Sequence, residues 1–261
     1  MLSAIWRFRY FIMASVYGEL KGRYARSRLG LLWSILNPLA QAAIYAIILS
    51  EVLGAKLGTS EIKGAYPIYL ISGMAAWGLF SEILNRCLSV FVEYAGTLKK
   101  ISFPRICLPI IVWGGALVNH LMLLGSMFVV FLFFGHYPTW SWLAIIPGIV
   151  LISMFAFGLG MMLGIFNVFS RDVGQIVAVV LQLWFWLTPV VYSVATAPAH
   201  VRWLLDFNPM TALVGIYQNA LLYGLWPSLP ALVFPACLGI AFFALSFVLF
   251  RRASAELVDV L

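Results

Sequence analysis

Glu82 and Arg86 come nearest, by type and spacing, to residues that could do chemistry. They stand four positions apart, so on a helix they share a face and can pair. With Asn85 they sit in a run of apolar residues, where a charge is costly and points at a partner or at water. Two readings stay open: a pair facing a pore or a dimer partner, or an Arg86 that snorkels to the membrane surface. His120, His136 and His200 do not cluster in sequence, and no nucleophile stands beside a base. Cys87, Cys107 and Cys237 lie in or beside apolar runs without metal-ligand spacing, and read as small buried hydrophobes. No G-x-x-x-x-G-K-[ST] phosphate loop occurs, so this chain has no such cradle for the phosphates of ATP. An enzyme reading has little support. Energy for any transport comes from a partner, an ion gradient, or nothing.

The elements that hold these residues are membrane helices. Apolar residues make up 64% of the 261-residue chain and charged residues 10%, where a soluble domain carries about 25% charged. The expected class is all-α integral membrane, with about six transmembrane helices of roughly 20 apolar residues each. The runs lie near 32–53, 68–91, 106–134, 142–168, 175–192 and 229–250, within one domain over 1–261. The third and fourth are long enough to tilt. The fifth is short and ends at Thr188-Pro189, where proline disturbs a helix. No cleavable signal peptide is expected at the basic, aromatic start.

The net charge of +7 raises the question of nucleic acid, and the positions of the charges answer it. Arg7, Arg9, Lys21, Arg23, Arg26, Arg28, Lys99, Lys100, Arg105, Arg171, Arg251 and Arg252 fall on one side. Only Lys56, Lys63 and Arg202 fall on the other. Cytoplasmic loops collect Lys and Arg, so both termini and the tail 251–261 are expected in the cytoplasm, with no nucleic-acid partner.

Residues 1–30 are expected to form an amphipathic interface helix. Its apolar stripe is Ile12, Val16 and Leu20, flanked by Met13, Tyr17 and Tyr24, with Glu19, Lys21, Arg23, Arg26 and Arg28 on the remainder. At the other end of the chain, 193–230 is too long for a tight turn and too apolar for a solvated loop. Asn208-Pro209 divides it into two short helices, with the proline near the first helical position of the second. These are expected to dip into the outer leaflet without crossing it, as re-entrant helices between spans five and six.

The run Arg23-Tyr24-Ala25-Arg26-Ser27-Arg28-Leu29-Gly30-Leu31-Leu32-Trp33-Ser34-Ile35-Leu36-Asn37-Pro38-Leu39 resembles the entry to the first span in the membrane subunits of type-2 ABC exporters for polysaccharides. Leu98-Lys99-Lys100-Ile101-Ser102-Phe103-Pro104-Arg105 resembles that family's first cytoplasmic loop, and Ser170-Arg171-Asp172-Val173 its second. Asn208-Pro209-Met210-Thr211, followed by Tyr217-Gln218-Asn219-Ala220-Leu221-Leu222, resembles its outer re-entrant segment. The set keeps the family order over nearly the whole chain and lies nearest the O-antigen branch, the Wzm-like permeases. The resemblance implies a permease in the bacterial inner membrane that moves a lipid-linked polysaccharide outward. It implies a homodimer, two copies of a separate ATPase that bind ATP and Mg, and no cofactor on this chain. Capsular polysaccharide or teichoic acid are alternative cargoes; a drug or lipid permease is a further alternative.

On that basis Lys99, Lys100, Phe103, Pro104 and Arg105 are expected to couple to the ATPase, with Arg171 and Asp172 as a second contact. The polymer path is expected along Tyr45, Trp77, Phe80, Glu82, Arg86, Trp184 and Trp186, since aromatic rings suit the C–H faces of sugars. Each ring also has a second reading, as an interfacial anchor or packing group. An outer gate is expected at Asn208, Pro209, Met210, Leu213, Tyr217 and Leu221; the last four share one helix face. Gly160-Met161-Met162-Leu163-Gly164 is a small-xxx-small pattern that permits close helix approach.

Overall fold

The computed structural model describes residues 2–25, 32, 33, 36, 40, 65–96, 103–133 and 135–253. Apart from those four isolated positions, the expected first span at 32–53, with Tyr45, lies outside them, as do Lys99 and Lys100. Among the described residues every regular element is helical. The helices are α1 (Leu2–Arg7), α2 (Arg9–Ala25), α3 (Ala65–Glu93), α4 (Cys107–Phe133), α5 (Ile145–Phe169) and α6 (Asp172–Leu187). Then come α7 (Ala199–Asp206), α8 (Pro209–Gln218) and α9 (Leu229–Ala253).

Four of these, α3, α4, α5 with its leading 3-10 turn, and α9, are long and apolar enough to cross a membrane. The expected spans two, three, four and six fall on them. The fifth run was expected over 175–192. It is helical from Asp172 to Leu187, sixteen residues, which at about 1.5 Å per residue spans roughly 24 Å. It stops ahead of Pro189 because proline has no N–H to continue the ladder. At its end the Thr188 hydroxyl donates to the Trp184 carbonyl, 2.8 Å away, and covers one of the last free acceptors.

The core is a three-helix contact in which α5 lies between α3 and α9. Gly160 faces the Leu84 backbone, Gly164 faces Cys87, and the Asn167 amide donates to the Leu88 carbonyl at 3.0 Å. Rising numbers on both helices mean that α5 and α3 run parallel. A Cβ on Gly164 would sit 2.4 Å from the Cys87 carbonyl oxygen, so only glycine permits this approach. Gly158 makes the matching contact with α9, where a Cβ would meet the Phe243 nitrogen at 2.5 Å. The small-residue pattern in α5 is therefore a packing surface within the chain, where van der Waals contact replaces the missing hydrophobic drive.

Helix α2 lies against α4. Ile12 is buried with Cys107 and Ile111, and Val16 meets Gly114. The expected stripe thus supplies the buried face. On the other side Trp6, Tyr10, Met13 and Tyr17 are exposed at helical spacing. The Arg9 guanidinium covers the Trp6 and Tyr10 rings, 4.9 and 4.4 Å from their centroids. One departure is informative: Glu19 falls seven positions after Ile12, on the buried side rather than with the polar remainder.

Candidate functional site

The expected aromatic path is an aromatic cluster between α3, α5, α6 and α9. Phe80 stacks on Phe155 at 5.5 Å and meets Trp184 edge-on at 5.3 Å. Trp77 meets Phe185 at 5.5 Å, and Phe155 meets Phe242 at 5.8 Å. Edge and offset contacts of this kind add to area burial. Phe80 is 0% exposed and packs wholly within this cluster. Trp77 is buried as well, and Trp184 is half-buried with its indole N–H donated to the Asn208 side-chain oxygen at 2.9 Å. Trp186, 62% exposed, is the ring of this set that faces away from the chain. The split follows from the helix: Trp184, Phe185 and Trp186 cannot share a face.

Glu82 and Arg86 do pair across one helical turn, at 3.7 Å. The stronger partner of Arg86 is Glu19 of α2, at 2.6 Å. Asn119 of α4 donates to the second oxygen of Glu82 at 2.8 Å. The four side chains join α2, α3 and α4 into one polar network, with Arg86 turned to α2. Gly115 leaves room for it, since a Cβ there would lie 3.0 Å from Glu19 Oε2 and 3.1 Å from Arg86 Nη1. Glu19 and Asn119 were not read as site residues. A polar group at an inward or intramembrane position is the signal that finds them, because it must be partnered.

The basic end carries the expected coupling residues. Phe103 and Pro104 precede the turn at Arg105 that leads into α4, with the Cys107 N–H bonded to the Pro104 carbonyl at 2.9 Å. Proline disfavours a helical conformation at the residue before it, Phe103. The Phe103 ring packs on Phe11 of α2 with centroids 5.6 Å apart. Arg171 and Asp172 are exposed in the tight turn from α5 to α6. That turn is held by Asn167, whose side-chain oxygen accepts from the Gly174 N–H at 3.1 Å.

At the opposite end Asn208 does cap α8: its side-chain oxygen accepts from the Met210 N–H at 3.0 Å, and Pro209 follows at the first helical position. Its amide donates to the Leu187 carbonyl at 3.2 Å and the Thr188 hydroxyl at 3.0 Å. Asn208 thereby ties the end of α6 to the α7–α8 joint. Tyr192, in the connection after α6, donates its hydroxyl to the Trp186 carbonyl at 3.2 Å.

The expected gate face lies within the chain. Met210, Leu213, Tyr217 and Leu221 do lie on one side of α8 and the π-helical turn Asn219–Tyr223 that extends it, but that side is turned into the chain. Tyr217 is 0% exposed and shares a 2.9 Å hydrogen bond with His120 of α4. Ser141 donates to the Ala220 carbonyl at 3.0 Å, and His136 bonds the Leu221 carbonyl. These polar contacts turn this face into the chain. The other side of α8 opens on a cleft of about 290 Å³ lined by Tyr69, Thr211, Gly215, Gln218, Asn219 and Ser228.

Residues 10–222 match the membrane-domain family described as ABC-2 type transporter. The chain belongs to this family. The O-antigen export system permease protein RfbA of Myxococcus xanthus is 31% identical over 221 residues, which is 84% of this chain and 82% of that protein. The RfbA permease of Klebsiella pneumoniae is 31% identical over 210 residues, 79% of this chain and 78% of that one. The polysialic acid transport protein KpsM of Escherichia coli is 21% identical over 216 residues, 79% of each chain. The resemblance read from the loop motifs is thus borne out. With its apolar helices, this ABC-2 chain is a multi-pass membrane protein.

Proposed function

We propose that this chain is the transmembrane subunit of an ATP-driven exporter that moves a lipid-linked polysaccharide, of the O-antigen kind, outward across the bacterial inner membrane. The observation that carries it is the similarity to O-antigen export permeases over about four-fifths of the chain. The likeness to the polysialic acid protein favours a capsular polymer as the second reading.

Several features support the rest of the assignment. The basic residues Arg105, Arg171, Arg251 and Arg252 stand at the ends of α4, α5, α6 and α9 that the positive-inside rule assigns to the cytoplasm. The loop bearing Lys99 and Lys100 and the exposed Arg171-Asp172 turn are the contacts for two copies of a separate ATPase, which binds ATP and Mg. Helix α6 exposes Ile176, Val179, Val180, Leu183 and Trp186 along one side. That side is the contact with a second copy, two-fold assembly being the commonest closed arrangement. The exposed Trp6, Tyr10, Met13 and Tyr17 seat α1 and α2 in the interface, where amphipathic rings are at home. Helices α7 and α8 dip into the outer leaflet and close the path from outside.

Deletion of the gene is the test. Cells without this chain retain finished polymer inside and lose it from the surface, and re-expression reverses both. Normal surface polymer in the deletion strain contradicts the assignment.

A further inference from the structure

Phe103 and Arg86 stand on opposite sides of the connection between α3 and α4, and α2 holds both of them. At one end the Phe11 ring packs on Phe103, just before α4 begins. Along its length Ile12 is buried on Cys107 and Ile111. Further along, Glu19 reaches across to Arg86 on α3 at 2.6 Å; Glu82 braces the guanidinium from one turn away on α3, and Asn119 of α4 donates to Glu82. The path Arg86, connection, Phe103, Phe11, Glu19 and back to Arg86 is a closed ring. Helices α3 and α4 also meet directly, where Asn119 donates to Glu82. Helix α2 adds a second tie between them, running from Arg86 to the start of α4.

We propose that Glu19 is a positioning residue for transport: its ion pair with Arg86 makes α2 a strap that fastens the two helices flanking the α3–α4 connection, so that they move as one body when an ATPase drives it. This rests on the exporter reading above. The apolar contacts at the Phe11 end are non-directional and can slide. The ion pair is the part that fixes register, because it joins two named atoms in a setting where the side chains are only 28% and 23% exposed. Glycine at 115 is part of the device, since any side chain there would press on both charges.

The test uses the chain co-expressed with its partner ATPase in inverted membrane vesicles, with sugar-radiolabelled lipid-linked polymer made by the same cells. Polymer translocated per ATP hydrolysed is measured for wild type, E19Q, G115A and the exchange E19R/R86E. In E19Q this ratio falls by about tenfold, within the usual span of coupling between sites. ATPase association and hydrolysis persist. G115A keeps every charge and crowds the ends of both side chains, which give by a few tenths of an ångström, so it lowers the ratio less than E19Q does. The exchange restores opposite charges at 19 and 86 but sets a second carboxylate one turn from Glu82, so it recovers only part of the ratio. An unchanged ratio in E19Q overturns the proposal. So does a parallel loss of hydrolysis and translocation in E19Q, which marks a merely structural pair. Failure of the exporter reading shows up differently: wild-type vesicles themselves translocate nothing.

Discussion

Gly164 passes so close beneath Cys87 that a Cβ on it would stand 2.4 Å from the Cys87 carbonyl oxygen. The listening partner is backbone, which cannot rotate away as a side chain can. Gly164→Val therefore separates α5 from α3 and costs about 1–3 kcal/mol, the usual range for overpacking. The check is the melting temperature of the detergent-purified chain. A Gly164→Val protein that melts with wild type removes this contact from the core. Gly125, with nothing near its Cβ position, is the control: Gly125→Ala leaves the midpoint unchanged or raises it slightly.

Asn208 spends both ends of its amide on different elements, accepting from Met210 and Trp184 and donating to Leu187 and Thr188. Asn208→Ala loses the cap, about 1 kcal/mol, together with the tie to α6. Hydrogen exchange at the start of α8 and the end of α6 should speed up together. Asn208→Asp keeps the acceptor and drops the donors, so it should protect α8 while leaving the end of α6 loosened. Equal behaviour of the two variants would show that the tie to α6 has no energetic weight.

The span assignments were legible because hydropathy is additive along a run, so α3, α4, α5 and α9 emerge from composition alone. Asn208-Pro209 was legible too, since cap and proline act within one turn. Facing was harder. The stripe Met210, Leu213, Tyr217 and Leu221 is a true helical face, but periodicity says only that a face is apolar. Own chain, second copy and lipid all satisfy it. His120, Ser141 and His136 decide the matter, and they come from elsewhere in the sequence. Glu19 was hidden for a related reason. Its charge placed it with its basic neighbours, while its spacing from Ile12 and Val16 placed it inward, and the partner that settles it is more than sixty residues away.

His120 and Tyr217 form a buried polar pair across α4 and α8. Removing one partner strands the other, whereas removing both does not. Tyr217→Phe and His120→Ala should each destabilise the chain, and the double variant should lose less than the sum of the two, by about 0.5–1.5 kcal/mol of coupling. Strict additivity in a double-mutant cycle would mean that the two side chains do not interact.

In sequence Lys99 and Lys100 lie between α3 and α4, ahead of the half-buried Arg105. Reversing both charges should weaken recovery of the ATPase with this chain and make what remains less sensitive to salt. Membrane insertion should persist, since ten other basic residues still bias the same side. Unchanged co-purification, export and stimulated hydrolysis would exclude docking through these lysines.

The central claim is that this chain passes polysaccharide outward at the expense of ATP hydrolysed by a partner. It is tested most directly in proteoliposomes holding this chain and its ATPase, loaded with radiolabelled lipid-linked polymer on the ATPase side. With ATP and Mg, the polymer should become protected from an added glycosidase, and vesicles with the ATPase alone should show no protection. Polymer that stays fully digestible with ATP, in vesicles where the ATPase is bound and hydrolysing, would contradict the account.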